Sequence, residues 1–156
     1  MIRIQQEDFD IGAELAQLTS GHQDIGAVVT FTGQVRGTAE GRPLTAMTIE
    51  HYPGMTEREL EAIEREANAR FDLKKSLIVH RYGTLKPGDN IVLVITASAH
   101  RDAAFDAAKF LMDYLKGWAP FWKRETGPDG DRWVGAEDRD DAATSGWEKP
   151  AKDAAE

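Results

Sequence analysis

Apolar and polar residues alternate over the first five positions, which predicts a short strand over residues 1–5. Asp10 then precedes apolar residues spaced three and four apart, so a brief helix capped by Asp10 is expected. The stretch 26–33 is rich in β-branched and aromatic residues and is bounded by glycines, which is typical of a buried strand. The first 33 residues are therefore predicted to form two strands with a short helix between them.

The segment 36–43 is rich in glycine and charge, so a mobile loop that could close over a ligand is expected there. A second strand is predicted over 44–51. Thr56 and Glu59 form a capping-box pattern ahead of apolar residues at helical spacing, which indicates an amphipathic helix from about 56 to 70.

Two further strands are predicted at 76–83 and 90–99, joined by a turn rich in proline and glycine. A helix with an alanine and leucine stripe follows over 101–116, and Pro120 prevents its continuation. The order β, α, β, β, α, β, β, α does not alternate as in a doubly wound sheet. It predicts a two-layer α+β domain with a mixed or antiparallel sheet and about three helices.

The chain has 156 residues, which is enough for one domain with a proper core and too few for two comfortable ones. We expect a single domain over 1–140. Residues 141–156 are acidic and rich in alanine, so a weakly ordered tail is expected there, in which Trp147 could still dock on the domain.

The net charge of −8 is concentrated at the end of the chain. Residues 129–156 hold 9 acidic and 4 basic side chains, which leaves 18 and 15 for the first 128 residues. A chain of this charge with no long basic run is a poor match for nucleic acid, because binding a phosphate backbone needs a broad cationic face. A small anion in a local pocket is compatible with it.

Cysteine is absent, which excludes disulfides, thiolate metal sites and a cysteine nucleophile. The first residues are polar and no apolar run approaches the length of a membrane span, so a soluble, cytoplasmic protein is expected. Histidines and carboxylates lack the spacing of metalloprotease motifs, and no phosphate-loop pattern occurs. We therefore expect neither a metal ion nor a bound cofactor.

Residues 98–125 collect cations beside aromatic residues in an otherwise acidic chain. These cations are His100, Arg101, Lys109, Lys116, Lys123 and Arg124. Such a cluster indicates either an anionic ligand or a lysine with a chemical role.

His100 and Arg101 stand where a strand becomes a helix, a junction whose free amide groups bind anions, although a chance pair of cations at a helix start is equally simple. Arg36 follows a strand and could clamp a phosphate through two hydrogen bonds, but one arginine is weak evidence. Lys116 lies in the last helical turn, where a cation also stabilises the helix dipole. Lys123 follows a proline turn among aromatic residues, so partial burial could lower its pKa and make it a base or nucleophile. It could equally be a surface lysine lying over those rings.

Several motifs in the right order resemble one family over about 26–134. They are FTGQVR, LTAMTIEHYPGMTE, HRYGTLKPGD, SAHRDAAF, MDYLKGWAPFWKRE and GDRWV. The chain resembles the large, catalytic subunits of molybdopterin synthase, the MoaE family. The resemblance implies a fold of the α/β-hammerhead type and an enzyme of molybdenum cofactor biosynthesis.

The resemblance also implies a reaction and partners. The family converts cyclic pyranopterin monophosphate into molybdopterin by installing two dithiolene sulfurs. The sulfurs arrive as a thiocarboxylate on the Gly-Gly tail of a small, ubiquitin-like sulfur-carrier subunit. A homodimer of large subunits carries one small subunit at each end, giving a heterotetramer, and each large subunit contributes to its neighbour's pocket.

Residue by residue, the resemblance makes Lys116 and Lys123 the catalytic pair, and it makes Arg36, His100 and Arg101 the residues that bind the substrate phosphate. One lysine would position or activate the thiocarboxylate, and the other would move protons during attack on the pterin side chain.

The chain departs from the family near its end, because a basic residue is common close to the position of Glu137, whereas here Arg139 follows two residues later. Two readings besides sulfur transfer stay open. The same cations could form a binding module for a phosphorylated ligand or a partner's tail, and a lysine nucleophile could transfer an acyl group. Two lysines favour catalysis, since arginine would serve binding equally well.

Overall fold

The computed structural model describes residues 1–134 and 146–147. The predicted boundary at residue 140 and the predicted tail lie outside these residues, apart from Gly146 and Trp147. The elements in chain order are β1 (Ile2–Gln5), α1 (Ile11–Thr19), β2 (Ala27–Gln34), β3 (Thr38–Ala39), β4 (Arg42–Pro43), β5 (Ala46–His51), α2 (Met55–Phe71), β6 (Lys75–Arg81), β7 (Gly83–Leu85), β8 (Asn90–Ser98), α3 (Arg101–Gly117), β9 (Phe121–Gly127) and β10 (Gly130–Trp133).

The first sheet has the strand order β1-β6-β8-β2 and is mixed, because β1 runs parallel to β6 and the other pairs are antiparallel. Its central strands β6 and β8 are buried along nearly their whole length. Ile78 faces the core formed with α2 and α3, while Leu77 faces α1, because side chains alternate along a strand. The predicted α+β class is confirmed, with helices on a mixed sheet.

The second sheet is antiparallel in the order β10-β9-β5-β7. Strands β9 and β10 follow α3, where the predicted order of elements ended. Strand β9 pairs with β5, which places Lys123 opposite Ile49. Lys123 therefore lies on a strand held by long-range pairing, which the local proline turn at Pro120 could not reveal.

Strand β2 corrects one expectation about burial. Within the described part of the chain it pairs only with β8 and forms an edge of the first sheet. None of its residues is fully buried, and Phe31 is 40% exposed. The apolar composition that predicted a buried strand instead leaves apolar side chains on a sheet edge, because composition does not distinguish an edge strand from a central one.

The segment 36–43, expected to be a loop, contains the small hairpin of β3 and β4. Its turn uses Glu40 and Gly41 in left-handed conformations, with φ of 50° and 74°. Ala39, in β3, is buried.

Helix α2 begins at Met55, and its first turn is capped differently from the prediction. The Gly54 amide donates to the Glu57 carboxylate, while the Thr56 hydroxyl bonds the backbone of Tyr52. Glu59 instead accepts a hydrogen bond from the hydroxyl of Tyr114 in α3. The capping pair lies two residues earlier than expected, since a glycine with φ of 84° can end the preceding turn there. None of the helices in the described residues has the length and apolarity needed to cross a membrane.

Candidate functional site

A cavity of about 90 Å³ opens where strand β8 begins. It is lined by side chains from both sheets and from the end of α3. They are Phe31, Gly33, Gln34, His80, Ile91, Val92, Met112, Leu115, Lys116 and Lys123. The two lysines that the sequence singled out therefore share one cavity.

Lys116 reaches the cavity from the last turn of α3. The preceding residue, Leu115, belongs to the buried stripe of that helix, so Lys116 falls at the margin between core and solvent and is exposed. The helix ends one residue later, at Gly117, and the amide of the following residue Trp118 donates to the Tyr114 carbonyl at 2.8 Å. The ammonium lies close to the negative end of the helix dipole, which favours a cation there.

Lys123 reaches the same cavity from β9 and is half-buried. Side chains alternate along the strand, so Phe121, Lys123 and Glu125 point to one face. Glu125 is buried, and its carboxylate lies 3.5 Å from the guanidinium of Arg132. The strand is therefore held on both sides of Lys123, by an aromatic contact before it and by an ion pair after it.

His80 forms part of the cavity wall and is 4% exposed. Its ring stacks on Phe121, with centroids 3.8 Å apart and planes 13° from parallel. Its Nδ1 lies 2.8 Å from the Arg81 carbonyl oxygen. Burial is the main cause that lowers the pKa of His80 to about 3, and the charges of Lys123 and Lys116 lower it further. The ring is therefore neutral at ordinary pH.

The cavity combines two ammonium groups with apolar walls. Phe31 and Met112 line it together with the aliphatic residues of β8. Charges act strongly on a ligand in such a partly water-excluded space. An anionic group at the end of a thin chain is the ligand that this arrangement suits.

Arg36 lies at the same end of the first sheet as the cavity. It follows the cavity residue Gln34 by two positions, and the amide of the intervening Val35 donates a hydrogen bond to the Asp89 carbonyl at 2.9 Å. Arg36 is exposed to solvent. Its position permits a contact with a ligand that extends beyond the cavity.

His100 and Arg101 lie at the opposite end of the sheet. Strand β8 ends at Ser98, which pairs with Ala27 at the far end of β2. Arg101 begins α3, and Lys116 follows 15 residues later, so about 22 Å of helix at roughly 1.5 Å per residue separates them. Both cations are exposed, with Arg101 4.0 Å from Asp102. Within one chain they do not reach the lysine cavity.

Sequence reasoning assigned no role to His80, Phe31 or Met112, although each lies in a motif quoted above. A signal for His80 was present, because a lone histidine in a strand of buried aliphatic residues must have its ring satisfied in the core. Nothing local predicted which residue would face it. Among residues 1–134 and 146–147, no group of three or more histidines and carboxylates could hold a metal ion.

Comparisons with known proteins agree on one family. The model of the family described as MoaE protein matches residues 4–117. The molybdopterin synthase catalytic subunit of Rhizobium meliloti is 53% identical over 148 residues, covering 94% of each chain.

Solved structures are similar as well. The molybdopterin biosynthesis MoaE protein of Burkholderia ambifaria superposes with a TM-score of 0.80 at 51% identity, covering 94% of this chain and 97% of that one. A molybdopterin synthase structure from Staphylococcus aureus gives 0.78 at 32% identity, covering 85% and 96%.

Proposed function

Since the chain belongs to the MoaE protein family, we propose that it is the catalytic subunit of a molybdopterin synthase. In this reaction cyclic pyranopterin monophosphate becomes molybdopterin by gaining two dithiolene sulfurs. The donor is the C-terminal thiocarboxylate of a small sulfur-carrier subunit. The relative from Rhizobium meliloti is a catalytic subunit by name, which is consistent with a second, separate subunit.

The observation that carries the proposal is that Lys116 and Lys123 line one cavity although they come from different elements. At about 90 Å³ the cavity is smaller than the roughly 300 Å³ of ordinary ligand sites. A pterin would not fit within it, but an extended Gly-Gly tail needs little width because glycine has no side chain. The two ammonium groups would attract the thiocarboxylate at the end of that tail.

The lysines have separate tasks in the proposed mechanism. One ammonium holds the thiocarboxylate, whose sulfur forms a bond to a carbon of the pterin side chain while an oxygen leaves that carbon, and it stabilises the negative charge that develops on the departing oxygen. Water then cleaves the resulting thioester, so the sulfur stays on the pterin and the tail of the small subunit leaves as a carboxylate. The other lysine transfers protons to and from the pterin side chain. Phe31 and Met112 line the cavity and would limit the access of water to the sulfur until its bond to the pterin has formed.

The substrate phosphate would be held outside the cavity by cations from two copies of the chain. Arg36 lies beside the cavity of its own copy, whereas His100 and Arg101 lie a helix length away from it. If the latter two bind the phosphate at this cavity, they must come from the neighbouring copy. A homodimer with a small subunit at each end is the assembly that we propose.

A single-turnover assay tests the function, with thiocarboxylated small subunit and cyclic pyranopterin monophosphate as reactants. We expect Lys116→Ala and Lys123→Ala each to lower the rate by about 10²-fold or more, because each removes a group that moves a proton or stabilises charge. Molybdopterin is read by fluorescence after oxidation.

Lys109→Ala is the matched control, since Lys109 also lies on α3 but pairs with Asp113 at 2.7 Å, outside the cavity. Binding of the small subunit is measured for every variant. No product from a folded wild-type protein that binds the small subunit would overturn the proposal and leave a binding module in its place.

A further inference from the structure

His80 is a buried polar side chain for which the proposed reaction has no stated use. It points from β6 toward the side of the sheet that α3 covers, as Ile78 does two residues earlier. It lines the cavity together with Lys116 and Lys123. A histidine at such a position needs a physical reason, because an aliphatic residue would fill the same space without desolvating two nitrogens.

The hydrogen bond of Nδ1 settles the tautomer of the ring. The Arg81 carbonyl oxygen, 2.8 Å away, can only accept, so Nδ1 carries the hydrogen. In a neutral imidazole the second nitrogen, Nε2, then has a lone pair and is a hydrogen-bond acceptor. His80 therefore offers an acceptor without carrying a charge.

The ring is also fixed in its plane. Phe121 covers one face at a centroid distance of 3.8 Å, and Nδ1 is tied to the backbone, so rotation about the side-chain bonds is blocked. Nε2 lies at the end of the ring farther from the main chain. The lone pair of Nε2 consequently points in one fixed direction.

Charged groups approach His80 from several elements. Lys123 comes from β9, Lys116 from α3 and His51 from β5, and all three lower the pKa of His80. On its own strand, the guanidinium of Arg81 is turned away and donates to the carbonyls of Gln6 and Asn90. The two lysine ammonium groups are the cationic donors that line the cavity together with the ring.

We propose that His80 is a positioning residue of this site, whose Nε2 accepts a hydrogen bond from the ammonium of Lys123 and holds that lysine in place for the reaction. Lys123 is the chosen donor because it follows Phe121 by two residues on the same face of β9, and the His80 ring stacks on Phe121. A carboxylate at this position would neutralise the lysine, and a phenyl ring would offer it no acceptor. The inference rests on the proposed function.

A spectroscopic test needs no turnover. In wild-type protein labelled with ¹⁵N-histidine, we expect His80 to show the Nδ1-protonated tautomer, with no titration between pH 5 and pH 8. The Nε2 resonance should shift in Lys123→Met and stay unchanged in Lys109→Met. The opposite tautomer, or an Nε2 resonance that does not shift in Lys123→Met, would overturn the inference.

A kinetic test compares two variants of His80. His80→Phe keeps the ring on Phe121 but removes the acceptor, and we expect a saturating single-turnover rate lower by about tenfold or more, with half-saturation by the small subunit unchanged. His80→Gln restores an acceptor and should recover most of that loss. His51→Phe, which alters the second imidazole near Phe121, should keep the wild-type rate.

Equal losses in His80→Phe and His80→Gln, or no loss in a folded His80→Phe, would overturn the positioning role. Failure of the proposed function is separate, because wild-type protein would then be inactive in this assay while the resonance shifts persisted.

Discussion

Single residues in this protein take their properties from the place where the fold puts them. His80 is an ordinary histidine in sequence, but it becomes a neutral hydrogen-bonding group because water is excluded and two lysines lie close. Glu125 stays in a buried position because Arg132 pairs with it. Gly127 has no side chain at a point where the backbone of Pro43 in β4 approaches closely. His80 and Gly127 each yield a direct test of a local physical cause.

His80 makes the stability of the protein depend on pH. Its pKa is about 3 in the folded chain and 6.5 in a free histidine, so the unfolded chain takes up a proton that the folded chain does not. The free energy of unfolding should be highest above pH 6.5 and fall as the pH approaches 3, by up to about 1.4 kcal/mol per pH unit from this residue.

Urea unfolding of wild type and His80→Gln between pH 7 and pH 4 measures this effect. The carboxylates titrate in both proteins, so the difference between the two slopes isolates His80. Parallel slopes would contradict the burial of a neutral ring.

Gly127 lies where a side chain would strike the hairpin of β3 and β4. A Cβ there would come within 2.5 Å of the Pro43 carbonyl oxygen. We expect Gly127→Ala to lower the free energy of unfolding by about 1–3 kcal/mol, because backbone must move to admit the methyl group. Gly37→Ala, with no atom within 4 Å of its Cβ, should change it far less in the same urea titration. Similar losses in both variants would show that the contact is not the cause.

At the scale of elements, the site depends on how helix α3 and strand β9 are placed relative to each other. The spacing of apolar residues is sufficient to form α3, whose stripe of alanine and leucine is buried as predicted. Strand β9 has no such local signal and is held by pairing with β5. Trp147, which the sequence left without a location, packs against Phe110 of α3. Its contacts on α3 lie in the C-terminal half of the helix, which also carries Met112 and Lys116.

Trp147 joins α2 and α3. Its ring meets Phe71 and Phe110 edge-on, at centroid distances of 6.1 and 5.1 Å, and its Nε1 donates to Asp113 at 2.7 Å. We expect Trp147→Ala to lower the free energy of unfolding by about 2 kcal/mol, because the variant loses ring contacts and one charge-assisted hydrogen bond. Phe105→Ala, an α3 variant at a site 61% exposed, should have little effect. Thermal unfolding of both variants measures the effect. Equal midpoint temperatures for the two variants would contradict a stabilising role of Trp147.

At the scale of the whole molecule, the two groups of cations lie at opposite ends of the first sheet. Lys116 and Lys123 share the cavity, while His100 and Arg101 begin α3 about 22 Å away by its roughly 1.5 Å rise per residue. A ligand that needs both groups requires two copies of the chain. This geometry supports the proposed homodimer. It also predicts that activity depends on residues from both copies of the chain, which can be tested.

Mixing two inactive variants tests the shared site. Lys116→Ala homodimers and Arg101→Ala homodimers are combined under conditions of subunit exchange. In a mixed dimer one site carries both defects and the other carries neither. With random exchange we expect about a quarter of the wild-type rate to return, since half of the dimers are mixed and each has one intact site.

The single-turnover assay measures the recovery, and unmixed variants are the controls. If Arg101 served the cavity of its own chain, every site in every dimer would keep one defect. No recovery after verified exchange would then place the phosphate contact within one copy.

Local pattern determined much of this protein. Helical spacing predicted α1 and α3 and most of α2, and buried aliphatic runs predicted the strands β6 and β8, because the periods of 3.6 and 2 follow from backbone geometry alone. The order of motifs was sufficient to indicate the family. The two lysines were selected from their surroundings in sequence, and both line the cavity. Their catalytic role stays a prediction.

Tertiary structure alone decided the rest. The pairing of β9 with β5, the edge position of β2 and the cavity shared by His80 and Lys123 join residues distant in sequence, so no local period could specify them. The neutral state of the His80 ring likewise depends on burial that only the assembled core provides. Sequence thus determined which elements form and which side chains can do chemistry, whereas packing determined which of those side chains meet, because proximity across the chain arises only when the sheets and helices are brought together.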